Sequence, residues 1–348
     1  MRVERLPWHE SAWCQIQARL AAGRFPHALL LVGPQGLGKL IFAQRLAAAL
    51  LCMAPDADGD ACGCCRACRL FQAGSHPDYC AIQPVEEGKA IRVDQIRELS
   101  AFLGLTAHAG GYQIALLAPA DRLNLNAANS LLKTLEEPTG ASVLVLSTAN
   151  PARLPATVRS RCQWLRFTPP PLDMALAWLG SRISGEVDAR AVLEVAGGGP
   201  LAALALADPR SWNRRRQLLE SYGRVLARVD DPIRAAGIWV QGDLAENLRW
   251  LVSWHLDLIR LKMVFAPPTL ANPDLRPILQ EWASRQSRRL LFTRLDAALR
   301  LSRLCATTQA NPQLLLEAFF GEALEGESVV FGTSAIDCLL YTSDAADE

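Results

Sequence analysis

The stretch that most constrains the fold is Leu29–Leu40, in which an apolar run, a Gly-rich turn and a helical pattern follow one another. Gly33, Gly38 and Lys39 match the phosphate-loop pattern G-x-x-x-x-G-K-[ST] at every position but the last, which is Leu40. Such glycines let backbone N–H groups surround phosphate oxygens, and the lysine can reach the terminal phosphates. The missing hydroxyl would have held magnesium, so we expect a nucleotide-binding fold in which ATP binding is doubtful.

Composition limits the class of protein. The chain has 348 residues, 50% of them apolar, and a net charge of +1, which suits two or three well-cored domains and argues against a charge-driven nucleic-acid-binding module. No window reaches about 18 consecutive apolar residues, and no apolar segment follows Met1–Arg5. Ten cysteines in such a chain favour a metal site or free thiols. We therefore expect a cytoplasmic protein with no membrane span.

Strand and helix patterns alternate over residues 1–168. Strands are predicted over Ala28–Val32, Tyr79–Gln83, Gln113–Ala118 and Val143–Ser147, and the chain returns to the sheet within Thr157–Phe167. Helices are predicted before the first strand, after the Gly-rich turn, and over Ile91–Leu103 and Asn126–Glu137. This alternation predicts an α/β domain with a doubly wound parallel sheet.

A second element of nucleotide chemistry is also missing. In an active ATPase the strand equivalent to Gln113–Ala118 ends in an acidic pair, which holds magnesium and polarises the attacking water. Here Ala118-Pro119 stands at that point, and the first carboxylate, Asp121, is interpreted as a turn or N-cap residue. The candidate nucleotide-binding residues, of a degenerate site, are Gly33, Gly36, Gly38 and Lys39, with Thr148 at the end of a later strand.

Four cysteines have the spacing of a metal site. Cys62, Cys65 and Cys68 are separated by two residues each, and with Cys52 they offer four thiolates, enough for a closed tetrahedral zinc site. Cys64 is then a spare that faces away. An iron–sulfur cluster and unliganded thiols remain alternatives. A closed four-ligand site has no open position, so a structural role is expected.

The second half of the chain is predicted to be helical. Pro169–Pro171 forms a rigid hinge, a small three-helix domain follows over 169–207, and an all-α domain extends over 208–325. Its helices are predicted at Leu218–Val229, Leu244–Val264, Arg288–Leu304 and Pro312–Leu324. The apolar face with Trp250 and Trp254 is either a bundle core or an oligomer collar, and Arg214–Arg216 is predicted to be a solvated face. Residues 326–348 have no periodicity and are excluded as non-native-looking or disordered sequence.

Together these residues resemble the bacterial clamp-loader AAA+ family. The resemblance extends from about Leu6 to Leu324 and is densest in the first 168 residues. It rests on Gly33–Lys39, the four cysteines, Ser75–Asp78, Leu131–Pro138 and Ser160-Arg161-Cys162. It implies an AAA+ domain with an inserted zinc-binding loop, a small helical lid and a C-terminal collar. The motor subunits of such loaders keep both elements that are missing here, so the chain is most similar to the subunit without a working nucleotide site.

The resemblance also implies a role and partners. Arg161 would be an arginine finger, donated across a subunit interface to the ATP of a neighbouring motor subunit; the alternative is a surface ion pair. The implied partners are gamma/tau-like motor subunits and a clamp-opening delta subunit in a hetero-oligomer, and, through that assembly, the sliding clamp and primer-template DNA. Two other functions remain open: an active AAA+ ATPase motor subunit and a zinc-containing nucleic-acid-binding module.

Overall fold

The computed structural model describes residues 3–86, 89–108, 111–183, 187–264, 267 and 269–325. The strands are β1 (Ala28–Val32), β2 (Tyr79–Ile82), β3 (Gln113–Leu117), β4 (Ser142–Thr148) and β5 (Gln163–Arg166). The helices of the first half are α1 (Glu10–Ala21), α2 (Lys39–Leu51), α3 (Arg66–Gln72), α4 (Val93–Leu103), α5 (Leu125–Glu136) and α6 (Ala156–Arg161). Those that follow are α7 (Leu172–Gly180), α8 (Ala189–Val195), α9 (Pro200–Leu206), α10 (Pro209–Leu226), α11 (Pro232–Trp239), α12 (Leu244–Met263), α13 (Arg276–Arg285), α14 (Arg288–Thr307) and α15 (Pro312–Glu325). Short 3-10 helices cover Pro7–His9, Ala120–Arg122, Pro151–Arg153 and Pro273–Leu275.

The five strands form one parallel sheet in the order β2-β3-β4-β1-β5. In its register Leu30 lies between Leu146 of β4 and Trp164 of β5. Because all strands run the same way, the carboxyl ends of β1, β3 and β4 meet at one edge, where ligands of such sheets bind. The doubly wound α/β prediction is confirmed.

Both faces of the sheet are buried, which explains why β1, β3 and β4 are continuous apolar runs. Successive side chains point to opposite faces. Leu30 and Leu146 pack in a cluster with α4, α5 and α6, whereas Leu29 and Leu31 pack with α1 and α2 in a second cluster. The sheet is therefore anchored from two sides, and the loops at its edge extend from a rigid base.

The local sequence determines where helix α5 begins, which face it buries and where it ends. Asn124 caps it, because its side chain accepts a hydrogen bond from the Ala127 N–H at 2.8 Å. Leu131 and Leu135 are spaced four residues apart and are buried on one face. The helix ends at Glu136, two residues before Pro138, as expected for a chain that approaches a proline.

The described chain separates into two compact units. One contains the residues up to Trp178 together with Gly199–Ala202, and the other contains Leu179–Gly198 and the residues from Ala203 onward. The three domains over 1–168, 169–207 and 208–325 stay a prediction, and the tail over 326–348 lies outside the described residues. Among the described residues, no single helix has the length and apolar composition to cross a membrane, although the bent pair α8 and α9 passes that test together.

The second unit is a helical bundle with an aromatic core. Trp254 on α12 and Trp239 on α11 are fully buried with ring centroids 6.0 Å apart, and Phe320 on α15 lies 5.6 Å from Trp239. Trp250 is buried too. The apolar face of α12 is thus part of a bundle core, one of the two interpretations that the sequence left open.

The prediction of a solvated Arg214–Arg216 face is wrong for Arg215. Helix α10 begins at Pro209, much earlier than predicted, since Asp208 caps it and proline at the first position favours a helix start. The extra turns bring Arg215 inside, where it is 2% exposed and donates to Asp274 at 2.7 Å and to Asn272 at 2.6 Å. Burial of a charge requires such partners.

A buried histidine makes the stability of the bundle depend on pH. His255 is fully buried, its Nδ1 donates to the Leu251 carbonyl at 2.8 Å, and its Nε2 accepts from the Tyr222 hydroxyl at 3.1 Å. Burial lowers the pKa of His255 to about 4. The neutral ring is therefore the folded form, and its stabilisation is complete above the unfolded pKa near 6.5.

We expect the free energy of unfolding to fall as the pH decreases from 6.5 to 4, because the unfolded state takes up a proton that folded His255 rejects. The loss assigned to this residue is about 3 kcal/mol. Urea unfolding at a series of pH values measures it as the difference between wild type and His255→Gln, since that variant lacks the group but keeps all the carboxylates. Parallel curves for the two proteins would contradict the assignment.

Candidate functional site

The Gly-rich loop after β1 has the shape of a phosphate loop. Gly36 and Gly38 both have φ of +76°, a left-handed conformation that favours glycine, and Gly38 caps α2. The Gly33 N–H donates to the Thr148 carbonyl at 3.4 Å, which ties the loop to β4. The ring of His9 also holds the loop, because its Nε2 donates to the Leu37 carbonyl at 2.7 Å. Burial lowers the pKa of His9 and keeps the ring neutral.

Lys39 turns back onto its own loop. Its Nζ donates to the Gly33 carbonyl at 2.6 Å and to the Pro34 carbonyl at 2.7 Å, and the residue is buried. Burial lowers the pKa of Lys39, and the nearby Asp121 carboxylate opposes that shift. The ammonium group therefore has partners within the chain, and to reach a phosphate it would have to give up both carbonyls.

The positions that should hold magnesium carry no oxygen side chain. Leu40 packs against the core cluster beneath α2. Ala118 is buried at the end of β3, and Pro119 follows it. Magnesium in nucleotide sites is held by carboxylate and hydroxyl oxygens together with the phosphates. Neither position can supply such a ligand.

Asp121 connects the segment that follows β3 to the end of β4. It lies in the 3-10 helix Ala120–Arg122, and its Oδ1 accepts a hydrogen bond from the Thr148 hydroxyl at 2.6 Å. The same hydroxyl accepts from the Asn150 N–H at 3.0 Å. A phosphate-facing role for Thr148 would require the bond to Asp121 to break. This pair could not be predicted from the sequence, because Asp121 and Thr148 are brought together only by the register of β3 and β4.

The segment Gly199–Ala202 lies directly on the loop. The Leu201 N–H donates to the Gly36 carbonyl at 3.0 Å. A Cβ on Gly199 would come within 2.6 Å of the Gln35 carbonyl oxygen, so only glycine allows this approach. The side chains at this approach are those of Pro200, Leu201 and Ala202, none of which carries a charge.

The structure brings the four predicted metal ligands together. The sulfurs of Cys52, Cys62, Cys65 and Cys68 all lie within 4.8 Å of one another, with Cys52–Cys65 and Cys62–Cys68 both at 3.9 Å. Four thiolates around a tetrahedral metal at about 2.3 Å are spaced about 3.8 Å apart. The cluster therefore fits one metal ion, and it is too compact for several irons and sulfides to lie between the sulfurs.

Backbone N–H groups point at these sulfurs. The N–H of Cys62 approaches the Cys52 sulfur at 3.3 Å, that of Cys65 the Cys62 sulfur at 3.4 Å, and that of Cys68 the Cys65 sulfur at 3.4 Å. Hydrogen bonds from Cys64 and Cys65 lower the pKa of Cys62 to about 6, whereas burial raises that of Cys68. Cys64 is exposed, but its sulfur lies 3.6 Å from that of Cys62, so the spare thiol is not remote.

A buried ion pair, which was not predicted from the sequence, also holds the loop that carries the four cysteines. Arg45 on α2 is 2% exposed, and its Nε lies 2.6 Å from Asp60 Oδ1. Arg5 adds a contact of 2.5 Å to the same carboxylate, and the Trp13 ring N–H donates to the Asp58 carbonyl at 3.0 Å. The alternating aspartates of this loop look like ordinary turn residues, so only the fold reveals their partners.

Arg161 is the last residue of α6 and lies at the surface. Its Nη2 lies 2.5 Å from Glu136 Oε1, and its Nη1 donates to the Thr157 carbonyl at 2.9 Å. The side chain is 36% exposed. Within the single chain, Arg161 makes the surface ion pair that was the alternative to a finger, and its exposed part stays accessible to a partner.

The parallel sheet with a Gly-rich turn between β1 and α2 is the strand–loop–helix arrangement of P-loop proteins. Residues 8–171 match the family model described as "DNA polymerase III, delta subunit", and residues 209–321 match "DNA polymerase III, delta subunit, C terminal". The chain is 36% identical to DNA polymerase III subunit delta′ of Pseudomonas aeruginosa over 316 residues, covering 90% of this chain and 95% of that protein.

Two further DNA polymerase III subunits are similar to this chain. Subunit delta′ of Escherichia coli is 33% identical over 89% of this chain and 92% of its own length. Subunit tau of Bacillus subtilis is 30% identical over 71% of this chain and 43% of its own length. On this evidence the chain belongs to the DNA polymerase III delta′ subunit family.

The geometry of the loop predicts how ATP and magnesium will behave. Isothermal titration of the purified chain should show either no ATP binding or a binding constant that magnesium does not change, because Leu40 and Ala118 offer the metal no ligand. The titrations are run with and without magnesium in chelator-free buffer, so that the cysteine site keeps its metal. A related motor subunit is the control. ATP binding that strengthens clearly with magnesium would contradict the prediction.

Proposed function

We propose that this chain is a non-hydrolysing stator, a fixed subunit of a DNA polymerase III clamp loader, and that Arg161 completes the ATP site of a neighbouring motor subunit. The observation that carries the proposal is the combination of a partly exposed guanidinium on α6 with a phosphate loop that lacks its magnesium ligands. A guanidinium beside a transferring γ-phosphoryl group stabilises the charge that develops there. The chain would then catalyse nothing alone and contribute to hydrolysis in trans.

The relatives support the choice of partners. One of them is a tau subunit, and the others are delta′ subunits of the same polymerase. The proposed neighbours are a gamma/tau-like motor subunit on the Arg161 side and a delta subunit elsewhere in a hetero-oligomer. Contact with the sliding clamp and primer-template DNA would come through that assembly, in the cytoplasm, where a reducing environment suits the nine cysteines of the described residues, four of which are the proposed zinc ligands.

Zinc is the proposed ion for the four-cysteine site. Four thiolates in tetrahedral spacing are the usual ligand set of structural zinc, and all four coordination positions are filled by protein. The ion would fix the loop between α2 and α3 and leave no position for a substrate. A site closed by four protein ligands gives the ion a structural role.

An active motor subunit is the alternative function. It is disfavoured because it would need a magnesium ligand that neither Leu40 nor Ala118 provides, and because Lys39 is bonded to its own loop. A zinc-containing nucleic-acid-binding module is disfavoured by the net charge of +1. Hydrolysis by the pure chain would restore the first alternative, and salt-dependent DNA binding by the full chain would restore the second.

Replacing Arg161 should remove catalysis at one motor site. In a reconstituted loader whose other motor subunits cannot hydrolyse ATP, Arg161→Ala should lower DNA-stimulated turnover by about 10³-fold or more, the usual effect of an arginine finger. Turnover of the single active motor is the measurement, and gel filtration checks assembly. Arg153→Ala, a change at another exposed arginine, is the control and should leave the rate unchanged. Full turnover by assembled Arg161→Ala loader would refute the finger.

Loss of one metal ligand should unfold the inserted loop. Metal analysis of the wild type should find about one zinc per chain, as a closed four-thiolate site predicts. Cys65→Ser should lose the zinc and lower the melting temperature, because removal of a structural metal removes folding free energy. Cys64→Ser is the matched control, since Cys64 lies outside the ligand set, and it should keep both. Equal stability of a metal-free wild type would show that the cysteines hold nothing.

A further inference from the structure

The residue that holds Arg161 in place is Glu136. Helices α5 and α6 end side by side, with Glu136 as the last residue of one and Arg161 as the last residue of the other. The two side chains are 49% and 36% exposed, and their closest N–O distance is 2.5 Å. Together with the Thr157 carbonyl at 2.9 Å, Glu136 engages both terminal nitrogens of the guanidinium.

Both ends of this pair stand on a rigid base. Leu135, next to Glu136, is buried against the sheet, and its carbonyl lies 3.1 Å from the Nε2 of His27. On the other side Val158 is fully buried, and the Trp164 ring N–H donates to the Arg159 carbonyl at 3.1 Å. The positions of Glu136 and Arg161 are therefore set by the core and not by a surface loop.

An arginine that acts on a phosphate in a neighbouring subunit must be ordered before it acts. A free arginine side chain loses rotamer entropy when it is fixed. Catalytic groups contribute most when they are already held in the productive orientation. Because the pair is half-exposed, water screens the carboxylate, and the guanidinium keeps most of its effect on a third group. Glu136 can thus order the arginine without cancelling its charge.

We infer that Glu136 is a positioning residue for Arg161, one that fixes the guanidinium in the orientation used across the subunit interface. This inference rests on the proposed function, since it presumes that Arg161 acts on the ATP of a neighbour. In this role Glu136 would contact neither the nucleotide nor the attacking water. Its effect passes through Arg161 alone, and a double-mutant cycle can test that property.

The residue adjacent to Glu136 provides a matched control. Glu137 follows Glu136, has the same charge, is exposed and lies just beyond the helix end. Glu137→Gln therefore removes the same charge from the same corner of the surface without touching the Arg161 pair. Glu136→Ala serves as a second variant at the site itself, because it removes the hydrogen-bond acceptor that glutamine retains.

The test uses the reconstituted loader in which only the motor beside Arg161 hydrolyses ATP. Glu136→Gln should lower kcat for DNA-stimulated hydrolysis by about two- to fivefold, as expected for a partly exposed ion pair, and leave KM for ATP unchanged. Glu136→Ala should lower kcat further. In the Arg161→Ala background neither change should have an additional effect, because the residue through which Glu136 acts is gone. Glu137→Gln should behave as wild type.

Each other outcome decides a separate question. If Arg161→Ala leaves turnover unchanged, the proposed function fails and the inference fails with it. If Arg161→Ala lowers turnover but both Glu136 variants match wild type, or raise it, the function stands and the positioning role is wrong. An equal loss from Glu136→Gln with and without Arg161 also overturns the inference, because Glu136 would then act independently. Melting temperature, zinc content and assembly of each variant separate these effects from misfolding.

Discussion

The burial of both faces of the parallel sheet is the constraint on which the other features depend. Leu29 and Leu31 face one cluster and Leu30 the other, so a shift of β1 by one residue would exchange the two sets. This register places the Gly-rich loop, the end of β3 and Thr148 at the same edge of the sheet. It also fixes the ends of α5 and α6, and with them the Glu136–Arg161 pair. The site geometry is a consequence of core packing.

At that edge several polar groups of the chain bond to one another. Lys39 bonds to Gly33 and Pro34, Thr148 bonds to Asp121, and Leu201 bonds to Gly36. Each of these bonds satisfies a polar group that would otherwise need a ligand or water in a poorly solvated place. These bonds connect the Gly-rich loop, the end of β4 and the segment Gly199–Ala202.

Local patterns predicted the strands, the phosphate loop and the four-cysteine set, because each depends on residues close together in the chain. The strand predictions agree with β1 to β4 within one residue at every end. Contacts between distant residues could not be predicted. Arg215 looked solvated because its partners Asn272 and Asp274 lie far along the chain, and the start of α10 was missed although Asp208-Pro209 is a common helix start. The partners of Asp121 and Glu136 are evident only from the fold.

The inward turn of Lys39 has a consequence for how sequences of this kind are read. A glycine-lysine pair after a buried strand is widely taken as a mark of ATP use, yet here the ammonium acts as an internal brace that closes the turn on itself. The next residue, Leu40, is half-buried against the core cluster, so the first turn of α2 is tied both to the loop before it and to the helix packing beneath it.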